Sequence, residues 1–166
     1  MGVLARVFLI NPPSPEPVKT PLLALCYLAS SLRRAGHEVA LCEVSAPQPL
    51  TDEDRWPWLE AIGERIDAER TAGMGVVVSC SALKQAYREC LRKKVNGRVQ
   101  FILLDGPRDL ISKRMMGRKG HFMPQSLLDS QLATLEKPGP DEDAVILDIS
   151  HNVPTLLVEA VQSVGR

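Results

Sequence analysis

Five short apolar runs, separated by stretches long enough for a helix, constrain this chain more than any other feature. They run from Val3 to Ile10, Glu38 to Val44, Gly75 to Ser79, Val99 to Asp105 and Ala144 to Ile149. Stretches such as VVV and FILL are apolar at successive positions, so both faces of each strand need covering. Parallel pairing needs long crossovers, and every gap holds one. The pattern predicts an α/β fold, a doubly wound five-stranded parallel sheet with helices on both faces, closed into a single domain over residues 1–166.

The punctuation between the runs predicts the helices. Thr20 can cap a helix opened by Pro21 and ended by Gly36. Thr51 with Asp54 three residues on resembles a capping box. Pro57 then belongs near the first turn of a segment reaching about Glu69. Ser81 can cap a helix to about Lys94. Pro107 and Asp109 open another that ends at Gly117, Pro124 opens one reaching Leu135, and Pro154 starts the last. Pro138-Gly139-Pro140 is a breaker.

Composition closes several functional classes. Twenty basic and twenty acidic residues cancel, and aromatics make up 4% of the chain. Neither an electrostatic footprint for nucleic acid or a membrane surface nor a base-stacking platform is expected. Cys26, Cys42, Cys80 and Cys90 have no metal-like spacing and read as reduced thiols, and no metal site is expected. The longest uncharged stretch, around Leu22 to Leu32, is too short to span a bilayer. The N-terminal residues lack a signal-peptide pattern, and the expected location is cytoplasmic.

From Pro49 onward the chain reads PLTDEDRWPWL, then VVVSCSALKQAYR, then RKGHFMPQSLLDSQLATLEKP. These blocks resemble the gluconokinases, P-loop kinases that phosphorylate gluconate with ATP. The resemblance covers residues 48–166 and places a lid near 117–123. It implies that Arg55, Lys84 and Arg88 face the sugar acid, and that Arg114, Arg118 and Lys119 belong to the lid over the nucleotide. The first 47 residues resemble another family. VFLINPP followed by PLLALCYLASSLRRAGHEVALCEV is similar to the opening of the flavodoxin-like cobalamin-binding domain of radical SAM enzymes. The two resemblances disagree on strand order. The kinase class implies 2-3-1-4-5 and the flavodoxin-like class 2-1-3-4-5. The larger kinase-like part favours the first.

The gluconokinase resemblance carries one departure. A GxxxxGK[ST] loop should follow the first strand, but the residues there are Asn11-Pro12-Pro13-Ser14-Pro15-Glu16-Pro17. A phosphate cradle is a run of backbone N–H groups. Proline has none, so Pro12, Pro13, Pro15 and Pro17 cannot contribute. Lys19-Thr20 echoes the end of such a loop, but reads as a solvated lysine beside a helix cap. The expectation is therefore a chimera, engineered or recombined, that keeps the gluconokinase scaffold without native catalytic activity. Arg55, Lys84, Arg88, Arg114, Arg118 and Lys119 would be vestigial, and no cofactor would be needed. The alternatives are an active ATP-dependent gluconate kinase using ATP and magnesium, and a cobalamin-binding module. Imperfectly covered apolar surface would favour a homo-oligomer. Asp105 and Asp148, at strand ends where doubly wound proteins bind ligands, are either ligand groups or turn residues. His37, His121 and His151 read as turn, lid and loop residues. Of Trp56 and Trp58, one should pack and the other stand partly exposed.

Overall fold

The computed structural model describes residues 7–10, 23–36, 38–43, 51–116 and 125–164. In chain order the elements are β1 (Val7–Ile10), α1 (Leu23–Arg34), β2 (Val39–Glu43), α2 (Asp52–Thr71), β3 (Gly75–Cys80), α3 (Gln85–Lys94), β4 (Gln100–Asp105), α4 (Arg108–Met116), α5 (Gln125–Thr134), β5 (Ala144–Asp148) and α6 (Val153–Val164). The strands pair in parallel in the order β2-β3-β1-β4-β5. This is the kinase order. The flavodoxin-like alternative fails because β2 pairs with β3, with Val39 opposite Gly75, and not with β1. β1 instead lies between β3 and β4, with Val7 opposite both Val77 and Gln100.

The strand period of two sorts the core into two layers. Val76, Val78 and Cys80 of β3 join Phe101 and Leu103 of β4 beneath α2 and α3. There they meet Leu59, Ile62, Ile66, Tyr87 and Leu91. Val77 and Ile102 point the other way, against Ala29 and Leu32 of α1 and Ala160 and Val164 of α6. All six residues of β3 are buried, as a continuous apolar run demands. Burial also pushes the Cys80 thiol up to about 12, which leaves it inert at neutral pH.

Two helix starts differ in kind. α2 begins as the sequence predicts. The Asp54 N–H donates to Thr51 Oγ1 at 3.2 Å, and that hydroxyl donates to Asp54 Oδ2 at 2.7 Å. The helix then continues through Pro57 as far as Thr71, beyond the expected Glu69. α3 starts later than predicted. Its N-cap is Lys84 and not Ser81, and no side chain of the cap bonds its first turn. The Gln85 N–H donates instead to Glu136 Oε2 at 2.7 Å. A carboxylate brought by the fold thus satisfies a helix amide and complements the positive helix end.

α2 and α3 lie close together. A Cβ added at Gly63 would stand 2.5 Å from Lys94 Cβ. Among the described residues, no helix is long and apolar enough to cross a membrane. Residues 11–22, with the proline-rich loop, Lys19 and Thr20, lie outside the described residues, as do residues 117–124 with Arg118, Lys119 and His121, and also His37.

Candidate functional site

In a parallel sheet every helix that follows a strand starts at the carboxyl edge, where doubly wound proteins gather their chemistry. Here α2 and α3 start side by side at that edge. Asp52 is the first residue of α2, and its carboxylate is the centre of a polar cluster. It accepts from Lys84 Nζ at 2.6 Å and from the Tyr87 hydroxyl at 2.5 Å. Around the Tyr87 ring stand the Lys84 ammonium, 5.4 Å from the centroid, and the Arg55 guanidinium at 5.2 Å. Trp56 meets the same ring edge-on, 5.4 Å between centroids. Cations over an aromatic face gain from its quadrupole.

The local sequence explains this meeting. Lys84 and Tyr87 are three residues apart at the start of α3, and Asp52 and Arg55 are three apart at the start of α2. Residues at that spacing share a helix face. The packing of α2 on α3 turns the two faces together. The electrostatics follow. The Lys84 hydrogen bond, then that of Tyr87, holds the Asp52 carboxyl below its ordinary value. The Asp52 hydrogen bond raises the Lys84 ammonium. Burial, followed by the bond to Asp52, raises the Tyr87 hydroxyl. Asp52 is therefore a fixed acceptor that orients two donors. Two cationic side chains, a hydroxyl and an exposed indole thus stand together at this edge. That combination suits a small, hydroxylated anion.

Arg88 lies elsewhere. It is fully buried, and its guanidinium pairs with Glu142 through Nε at 2.6 Å and Nη2 at 2.8 Å. Its Nη1 donates to the carbonyls of Ala82 and Leu83, both at 3.1 Å. The structure brings Arg55 and Lys84 together, but turns Arg88 to the inside. Being consecutive with Tyr87, it points to a different side of the helix.

Arg114 donates to the His151 carbonyl at 3.1 Å, between the end of α4 and the loop before α6. Asp148, the last residue of β5, accepts from the Ser150 N–H at 2.8 Å in the turn that follows the strand. Asp105 pairs with Lys137 at 2.5 Å. Next to it, a Cβ at Gly106 would stand 2.5 Å from the Ile149 side chain, so β4 leaves the sheet in close contact with the end of β5. Trp56 is 39% exposed while Trp58 packs on the core, the division expected of the pair. Among the described residues no three His, Cys, Asp or Glu side chains group as metal ligands.

Sequence reasoning missed Asp52, Tyr87, Glu136 and Glu142. The spacing of Tyr87 from Lys84 was a visible signal for the first two, since a tyrosine on a lysine's helix face invites a shared acceptor. Nothing local marks Glu136 or Glu142, whose partners are 51 and 54 residues away.

No family model matches the chain. Individual proteins do. The gluconokinase of Gluconobacter oxydans is 42% identical over 120 residues, spanning 72% of this chain and 67% of that protein. A probable gluconokinase of Xenopus tropicalis is 36% identical over 138 residues, spanning 75% of this chain and 73% of that protein. The crystal structure of a gluconokinase from Sinorhizobium meliloti superposes with a TM-score of 0.76 at 32% identity, over 99% of this chain and 93% of that one. These findings overturn the expected inactive chimera. The structural match covers 99% of this chain, and these similarities give no support for a cobalamin-binding or radical SAM domain.

Proposed function

This chain belongs to the gluconokinase family, and we propose on that premise that it transfers the γ-phosphoryl group of ATP to gluconate. The observation that carries the proposal is 42% identity to a gluconokinase across 72% of the chain. The cluster at the carboxyl edge supports it. Lys84 and Arg55 would engage the gluconate carboxylate and hydroxyls, with Asp52 and Tyr87 fixing the lysine. Arg114, with Arg118 and Lys119, would serve the nucleotide side. ATP enters as its magnesium complex, the metal being part of the substrate and supplying charge neutralisation at the phosphates.

The phosphate cradle is the demanding part of this reading. Residues 11–17 hold four prolines, which offer no N–H groups, so Lys19 and Thr20 are the nearest cation and hydroxyl before α1. The test is gluconate-dependent ADP release in a coupled assay, run beside calorimetric titration of gluconate alone. The expected result is turnover within about tenfold of a typical enzyme's ~10 per second, lost in Lys19→Met while gluconate still binds. Gluconate binding without any ADP release would overturn phosphoryl transfer and leave a sugar-acid-binding protein.

A further inference from the structure

The loop that carries Lys84 from β3 to α3 is held from beneath by charge. Residues Ser81, Ala82 and Leu83 are buried, with 2%, 0% and 8% exposure. The carbonyls of Ala82 and Leu83 both accept from Arg88 Nη1. The other edge of that guanidinium is saturated by the two oxygens of Glu142, which also accepts from the Gly139 N–H at 3.1 Å and from Arg92 at 3.3 Å. From above, the Glu136 N–H donates to the Leu83 carbonyl at 3.0 Å while its carboxylate caps Gln85. The backbone that aims Lys84 is therefore fixed on both sides by residues 136–142, a segment far away in sequence.

The energetics make a purely stabilising role a poor explanation. Two charges withdrawn from water lose most of their hydration, and their mutual attraction roughly offsets that loss. An apolar pair of similar volume would hold α3 to this segment equally well. It would not donate to the carbonyls of Ala82 and Leu83. A planar guanidinium does both at once, with two edges at fixed angles.

We infer that Arg88 and Glu142 are a positioning pair for the acceptor site, setting the Ala82–Lys84 backbone so that Lys84 and Tyr87 converge on Asp52. This rests on the gluconate-kinase reading for the ligand, but not for the geometry. Arg88 touches no reacting atom. It acts through Lys84.

The experiment uses the full chain and three variants: Glu142→Gln, Arg88→Lys, and the double substitution Arg88→Met with Glu142→Leu. The last restores an apolar contact in place of the pair. Each is measured for thermal midpoint, for gluconate Kd, for the KM and kcat of each substrate, and for tyrosine ionisation by ultraviolet absorbance. The Tyr27→Phe background leaves Tyr87 as the sole tyrosine. The expected result is a gluconate Kd and KM raised about tenfold or more, an unchanged KM for ATP, and a Tyr87 titration moved down toward that of a free tyrosine. These changes should persist in the double variant even where its melting midpoint equals the parent's. A double variant with parental midpoint, gluconate Kd within about twofold and an unmoved Tyr87 titration would overturn the inference, showing the pair to be structural only. If the parent protein binds no gluconate, the function proposed above fails, while the Tyr87 titration still decides the positioning role. Should the single variants not fold, the double variant decides alone. Should that one not fold either, the pair is required for folding and the inference falls.

Discussion

The cluster around Asp52 places two donors on one carboxylate, and the consequences are specific to each residue. Lys84→Met removes the cation proposed to meet the substrate carboxylate. A hydrogen bond to a charged group contributes about 1.5–3 kcal/mol, so the gluconate KM should rise roughly 10- to 100-fold, with the ATP KM unmoved in steady-state kinetics. A rise in both would place Lys84 outside the acceptor site. Glu142 supplies the pH dependence. Its hydrogen bond from Arg88, first among several causes, holds its carboxyl below the ordinary 4.5. The unfolded chain therefore takes up this proton before the folded one does. The stability linked to it is present above about pH 4.5 and is lost as pH falls through the folded value. Asp52, Asp129 and Asp148 are shifted in the same direction. Melting midpoints of the parent should thus fall below pH 4.5, and those of Glu142→Gln should fall less steeply over the same window. Parallel curves would mean that Glu142 titrates alike in both states.

Helix α3 depends on its neighbours more than on its own sequence. It packs on α2 closely enough that Gly63 has no room for a side chain, because the nearest atom is Lys94 Cβ and not the mobile end of that side chain. Gly63→Ala, favourable in an isolated helix, should here destabilise by about 1–3 kcal/mol, measured by urea unfolding. A gain would mean the helices separate freely. The first amide of α3 takes its cap from Glu136, so Glu136→Ala should cost about 1 kcal/mol, whereas Ser81→Ala should change helix capping little. Ser81 was the cap that local sequence suggested, and it lies in the buried turn before the helix. A helix boundary is legible in sequence when the cap is a near neighbour, as with Thr51 and Asp54. It is not when the capping carboxylate belongs to another element.

For the molecule as a whole, β1 is the critical piece. It pairs with β3 on one side and β4 on the other, so removing it would leave two strand edges without partners in the middle of the sheet. We propose that the chain is one cooperative unit, and that residues 51–166 expressed alone lack a sharp thermal transition. A transition equal to that of the full chain would show the front segment to be an appendage. The front is also where sequence similarity misleads. A short strand-helix-strand unit of one α/β fold reads much like that of another, because both are a buried apolar strand followed by an amphipathic helix and a second strand.

The sequence by itself determined the α/β class and the strands' approximate positions, and its resemblance to the gluconokinases singled out Arg55 and Lys84, which the fold brings to one aromatic ring. Each of these rests on periodicity or on a block of contiguous residues, which a linear reading captures. Only the tertiary structure decided that β3 separates β2 from β1. It alone put Arg88 inside and not in the cluster around Tyr87, and gathered Asp52, Glu136 and Glu142 around the Lys84 loop. Strand order and long-range ion pairs depend on which surfaces meet after every helix has found its face. A charge 54 residues from its partner leaves no local trace of the pairing.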